Sequence, residues 1–185
     1  MRALATIHAV DYLYAEDTRV TQKLLQMYGI KKTLFAYYDH NANIQIPNII
    51  QQIQEGRTVG LVSDAGTPLI NDPGFKLVKE AIKHSLPLTS VPGPSAFTNA
   101  LVLSGLSTNQ FQFCGFVPAK SSERKVFYTA LLKYSHTLIF YETGNRLVQS
   151  LKDLKVVMGD RQIAIAREMT KIFEEILRGT SDDCL

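Results

Sequence analysis

Thr58-Val59-Gly60-Leu61-Val62-Ser63 runs straight into Asp64-Ala65-Gly66-Thr67-Pro68-Leu69-Ile70-Asn71-Asp72-Pro73-Gly74. The first half is a short β-branched apolar run of the kind that forms a buried strand. The second half is built from turn residues: Gly66 lets a ligand approach the backbone, and Pro68 stiffens the chain. Phe75, Val78 and Ile82 then recur at helical spacing, with Asp72 placed to cap that helix and Pro73 at its first position. This is a strand, a loop and a helix in succession. In open α/β sheets ligands sit outside the carboxyl ends of the strands, where this loop begins. A plain connection rich in turn residues reads the same way.

Working outward, strand-like and helix-like segments alternate. Residues 10–15 and 33–38 read as strands. Between them Val20, Leu24 and Met27 mark a helix that Gly29 stops. Ile46, Ile49, Ile50 and Ile53 line one face of a helix, with Pro47 suited to its first turn and Gly56 to its end. Residues 86–91 read as a further strand. They lead into a second stiff turn, Val91-Pro92-Gly93-Pro94-Ser95-Ala96, which opens a helix running to Gly105. A helix start favours anionic groups, and a proline-stiffened helix start without a ligand reads equally well.

Beyond it, residues 115–120 read as a loop. A helix carrying Phe127, Ala130, Leu131 and Tyr134 follows, then a strand over 137–141, a helix with Leu147, Leu151 and Leu154, and a strand over 163–166. The alternation predicts an α/β fold with a mostly parallel N-terminal sheet and helices on both faces. The text changes near 108–118, giving expected domains 1–110 and 111–185.

Composition narrows the class. The chain has 185 residues, 45% hydrophobic and 20% charged, with 20 basic and 17 acidic residues and a net charge of +3. This is an ordinary globular balance, and the mild positive charge permits nucleic-acid binding without requiring it. Cys114 and Cys184 stand far apart, so neither a disulfide framework nor a zinc site is expected. His8, His40, His84 and His136 lack ligand spacing, so no metal is expected. No dinucleotide, P-loop or nucleophile-elbow signature occurs. No apolar run reaches the roughly 18 residues that span a bilayer. No signal pattern opens the chain, and a cytoplasmic protein is expected.

Six motifs occur in order: AEDTR (15–19), SDAGTPLINDPG (63–74), VPGPSA (91–96), GFVPAKS (115–121), LIFYE (138–142) and ARE followed by Thr170. Together they closely resemble the ribosomal RNA small-subunit methyltransferase I family of the tetrapyrrole methylase superfamily, over almost the whole chain. The resemblance implies a two-domain α/β fold with S-adenosylmethionine (SAM) in a cleft between the domains. It implies 2′-O-methylation of a cytidine ribose in 16S rRNA near the decoding centre, with small-subunit rRNA or the 30S particle as partner, and a homodimer. It also implies that SAM is held by Asp64, Ala65, Gly66 and Ile70, by Pro92, Gly93, Ser95 and Ala96, and by Phe140 and Tyr141. The family opens with a strand and a P-I-G-N-L loop, whereas residues 1–4 here already match its first helix. It also continues past the Arg178-Gly179-Thr180 match. The first strand is therefore expected to be missing and the second domain incomplete. Methylation of a porphyrin precursor and an inactive fragment are the alternative readings.

Methyl transfer to a ribose hydroxyl is an in-line displacement that gains from alignment, water exclusion and a nearby base. Glu16, Asp17, Arg19 and Asp64 are the expected catalytic rim, with Glu142 and Glu168 as further carboxylates. Asp17 or Thr18 reads equally well as a helix cap. Lys120, Arg124, Lys125, Arg146 and Arg167 are the expected phosphate-seeking cations. A solvated helix start accounts as well for the cluster at 120–125.

Overall fold

The structure is a computed structural model, and it describes residues 2–185. The chain divides into two compact units, Met1–Pro94 and Ser95–Leu185. The division lies ahead of the 110/111 boundary expected from sequence. The reason is that the helix following the Pro92–Pro94 turn packs on strands of the second unit.

In the first unit the order is α1 (Arg2–Ala9), β1 (Tyr12–Ala15), α2 (Thr18–Met27), β2 (Leu34–Ala36), α3 (Ala42–Gln54), β3 (Val59–Val62) and α4 (Phe75–Lys83). The strands form one parallel sheet in the order β2-β1-β3, with Leu13 opposite both Leu34 and Gly60. Successive side chains point to opposite faces, and the two faces are visibly different. Tyr12, Tyr14, Phe35, Val59 and Leu61 pack with Ile49 of α3 and Leu77 of α4. Leu13, Leu34 and Val62 pack with Leu25 of α2 and with Leu4 and Ile7 of α1. Gly60 sits under that second layer, where a Cβ would come within 3.0 Å of the Leu13 side chain. Helices on both faces explain why the strands are near-continuous apolar runs.

Several expectations are corrected. Pro47 lies inside α3 rather than in its first turn, because Asn41 caps the helix and it starts at Ala42. Gly74, not Asp72, is the cap of α4, which begins after Pro73. Val20, Leu24 and Met27 point largely to solvent, while Thr21 and Leu25 of the same helix are buried. Residues 86–91 form no strand, although Leu86, Leu88 and Val91 supply the residue types. A strand exists only where its backbone groups find a ladder partner. Here β3 pairs with β1 alone, and no described strand lies on its other side.

The second unit contains α5 (Ala96–Ser104), β4 (Phe111–Phe116), α6 (Ser121–Leu131), β5 (Thr137–Tyr141), α7 (Gly144–Met158), β6 (Gln162–Arg167) and β7 (Glu175–Thr180). Strands β4 and β5 pair in parallel and β6 and β7 antiparallel, as separate two-stranded sheets. Helix α5 packs on β5, β6 and β7. Its Phe97 ring stacks on Phe113 of β4 at 4.7 Å, and its Leu103 carbonyl accepts from Arg178 of β7. The residue 115–120 loop begins later than expected, since Gly115 and Phe116 end β4 through an irregular register. Strand β7 is an addition to the expected elements.

Arg124 holds this unit together from inside. Its side chain is 2% exposed and meets Asp153 of α7, itself 4% exposed, at 2.5 Å. The same guanidinium donates to the Pro118 and Ala119 carbonyls, pinning the loop to α6 and α7. Burial alone would raise the Asp153 carboxyl, but hydrogen bonds from Arg124 and Ser121 outweigh it and hold the group below its ordinary range. Asp153→Ala leaves a buried, unpaired guanidinium, and is expected to cost about 3–5 kcal/mol in a urea unfolding curve. Because the folded carboxyl is depressed, its stabilisation in the parent protein is present above the unfolded value and is lost as pH falls through the folded one.

Candidate functional site

Strands β1 and β3 are adjacent and parallel, and the helices that follow them leave to opposite faces. Helix α2 goes to the Leu13 face and α4 to the Tyr14 face. Such a divergence opens a crevice at the carboxyl ends of the two strands. Glu16 and Asp17 follow β1, and Asp64 follows β3, so the AEDTR and SDAGTP motifs meet at this point.

They meet through crossed hydrogen bonds. The Asp17 N–H donates to Asp64 Oδ1 at 3.0 Å, and the Asp64 N–H donates to Glu16 Oε2 at 3.3 Å. The Glu16 N–H also donates to the Val62 carbonyl at 3.2 Å. Asp64 is exposed, and its Oδ2 makes no hydrogen bond among the described residues. Asp17 is committed differently: it caps α2 by accepting the Arg19 N–H at 2.8 Å, and both its oxygens are gripped by the Arg19 guanidinium. Those bonds hold its carboxyl at about 2, too low for a useful base at neutral pH. The Arg19 side chain, 87% exposed, stays at the rim on this local pair.

The loop between β3 and α4 is conformationally demanding. Leu69 (φ 73°) and Asn71 (φ 61°) are non-glycine residues in the left-handed region, an arrangement that clusters at ligand-binding turns. Gly74 shows what holds Leu69 there. A Cβ at Gly74 would stand 2.7 Å from the Leu69 side chain and 2.8 Å from Leu61, so Leu69 is folded down onto a bare glycine backbone. Ala65, Gly66 and Ile70 are left exposed on the outside of the turn.

The second turn is fastened to the first. Thr67 Oγ1 donates to the Pro94 carbonyl at 3.0 Å, and a Cβ on Gly66 would lie 3.9 Å from the same oxygen. Pro92 and Gly93 are exposed beside them. Thr67 stands inside the SDAGTP motif, and its residue type alone does not mark it for this role.

Carboxylates crowd the crevice. Burial pushes Glu16 up, the Asp64 N–H opposes this, and the charges of Asp72, Asp64 and Asp39 add to it. Burial likewise pushes Asp72 up, opposed by a hydrogen bond from Ser63 and reinforced by Asp64. Asp72, Asn71 and Asp39 also line an open cavity of about 480 Å³ with Phe75 and Lys76. No cluster with metal-ligand character occurs among the described residues.

In the second unit, Ser95 precedes α5 and its hydroxyl pairs with Thr98 at 2.8 Å, while Ala96 is exposed. Phe140 points into a core cluster with Phe127 and Tyr128, so its ring is used in packing. Tyr141 lies against Phe113 and Phe116. The expected RNA-facing cations separate into two kinds. Arg124 is corrected: buried on Asp153, it has no surface to offer. Lys120 pairs with Glu123, Lys125 with Asp153, Arg146 with Glu142 and Arg167 with Glu175, each less buried than Arg124. No described helix is long and apolar enough to cross a membrane.

Comparison with known proteins agrees with this geometry. Residues 1–184 match the profile of the tetrapyrrole (corrin/porphyrin) methylases. Proteins named ribosomal RNA small subunit methyltransferase I are similar throughout. The one from Mesorhizobium japonicum is 46% identical over 97% of this chain and 62% of its own length. The one from Halalkalibacterium halodurans is 42% identical, over 100% and 64%. The one from Thermotoga maritima is 40% identical, over 100% and 83%. The chain thus spans less than two thirds of the first two. Among solved structures, diphthine synthase superposes with a TM-score of 0.73 at 13% identity, covering 100% of this chain and 77% of that one. A cobalt precorrin-4 methyltransferase gives 0.65 at 16% identity, covering 99% and 80%. With a matching profile along its length and relatives at this identity, the chain belongs to the tetrapyrrole methylase family, in the group of the ribosomal RNA small subunit methyltransferase I proteins.

Proposed function

We propose that this chain carries the donor-binding half of a SAM-dependent methyltransferase that modifies the 2′-hydroxyl of a cytidine in small-subunit rRNA. The partner is 16S rRNA or the 30S particle, and the working form is a homodimer. The observation that carries the reading is the pair of exposed turns fixed at the β1/β3 crevice by the crossed Glu16–Asp64–Asp17 bonds and by Thr67 on Pro94. The similarity to relatives named for rRNA methylation supports the substrate class.

The residues present suit SAM. The donor carries positive charge on its sulfur and its amino group, and Asp39, Asp64 and Asp72 supply a negative field at one end of the sheet. Gly66, without a side chain, leaves backbone open beside Pro94. Asp64, Ala65, Gly66, Ile70, Pro92 and Gly93 of the first unit would hold it. When bound, SAM supplies an electrophilic methyl group. The chain's own residues do the rest. Asp64 offers Oδ2 to a hydroxyl or ammonium donor, and a carboxylate so placed can take the proton of a ribose hydroxyl. Lys120, Lys125, Arg146 and Arg167 would exchange their acidic partners for phosphate.

Calorimetry with SAM and transfer of labelled methyl to 30S particles test this reading. SAM binds the parent chain, and Asp64→Ala weakens binding by about tenfold or more. The labelled nucleotide resists alkaline cleavage at its own 3′ side, because the 2′-oxygen is blocked. Label on a base atom would discard the ribose assignment, and a folded chain indifferent to SAM would discard the whole reading.

A second expectation concerns charge. The folded carboxyl of Asp72 is raised, so the protein is most stable with it protonated and loses that contribution as pH rises through the raised value. Asp72→Asn removes the charge and keeps the size of the side chain. Its melting temperature is expected to exceed the parent's at pH 8, with the gap closing at about pH 4 and below, where carboxyls take up protons.

A further inference from the structure

We propose that Glu16 is a positioning residue: its carboxylate holds the Asp64 turn in place by accepting the Asp64 N–H, and does not itself take the substrate proton. The inference rests on the donor-binding role given above to the turn at residues 64–66. It deepens that role by assigning Glu16 a task other than the catalytic one its place in AEDTR suggests.

The geometry has three parts. First, Glu16 is fixed at both ends. Its N–H is spent on the Val62 carbonyl, at the last rung of the β1–β3 ladder, and its Oε2 receives the Asp64 N–H. Second, the contact is reciprocal. Asp64 Oδ1 accepts the Asp17 N–H on the Glu16 side, so each loop anchors the backbone of the other. Removing Glu16 Oε2 frees the Asp64 backbone, whose carboxylate is the group aimed at the ligand. Third, Glu16 is half-buried whereas Asp64 is exposed, so Asp64 is the better placed to touch a ligand. Burial first, and then the like charges on Asp72, Asp64 and Asp39, make the Glu16 charge a cost to the folded chain. An acceptor is what the position uses, and an uncharged acceptor serves the same bond.

Glutamine and alanine therefore separate the two roles. Glu16→Gln keeps an oxygen for the Asp64 N–H and abolishes the charge, whereas Glu16→Ala removes both. Amide exchange at Asp64, followed by NMR, reads the bond itself. It is expected to stay slow in the parent and in Glu16→Gln and to quicken by about tenfold or more in Glu16→Ala. SAM affinity is expected to follow the same order, with glutamine recovering most of what alanine loses. Exchange at Asp64 as slow in Glu16→Ala as in the parent would overturn the proposal. So would Glu16→Gln binding SAM as poorly as Glu16→Ala, or binding it well while methyl transfer drops about 100-fold or more, the mark of a lost base. If the parent chain binds no SAM, the reading of function fails while the exchange measurement still decides whether Glu16 holds the turn.

Discussion

Two backbone N–H groups and two carboxylate oxygens, exchanged crosswise between the ends of β1 and β3, set the terms for everything at the site. Parallel strands stop abruptly at their carboxyl ends, and the groups there have no further ladder to join. In this chain the next rung is made by side chains. Glu16 and Asp64 extend the pairing of β1 and β3 by one step past Val62, with the Asp64 side chain still partly available. The sheet supplies rigidity and the crossed bonds pass it to the turn. The strained Leu69–Asn71 backbone is tolerated because Leu69 is packed on Gly74.

Much of this was legible in the sequence, for identifiable reasons. The apolar run before Asp64 and the run over 137–141 are strands where expected, because their residue types suit a sheet covered on both faces. The motif after β3 places Asp64 and Gly66 on a strand-end turn, since glycine and proline there have few other uses, whereas Pro92 stands on a turn that no strand precedes. What could not be read was whatever depends on a distant partner. Residues 86–91 have strand composition and lack a neighbour. Arg124 belongs to a run that looks like surface charge, yet Asp153, on another helix, draws it inside. Thr67 looks like a connector until Pro94 is seen beside it. Asp17 was ambiguous between cap and catalyst, and its bonds to Arg19 resolve it as a cap.

The two kinds of charge in the molecule follow one rule. Asp153 is buried with its cation at hand, and its proton is held off. Glu16 and Asp72 are part-buried among like charges, and their carboxyls are pushed above the ordinary range. Burial acts in the same direction on all three, so the difference lies in the company each carboxylate keeps. A cationic ligand of the kind proposed above would bring the missing counter-charge to the second arrangement.

Residues 86–91 are tethered at their ends, by Leu86 to the last turn of α4 and by Pro94 to Thr67, with nothing laddered in between. β3 ladders with β1 alone, so its outer row of amides and carbonyls is unmatched among the described residues. A row of this kind is a template on which an extended segment of matching length can pair.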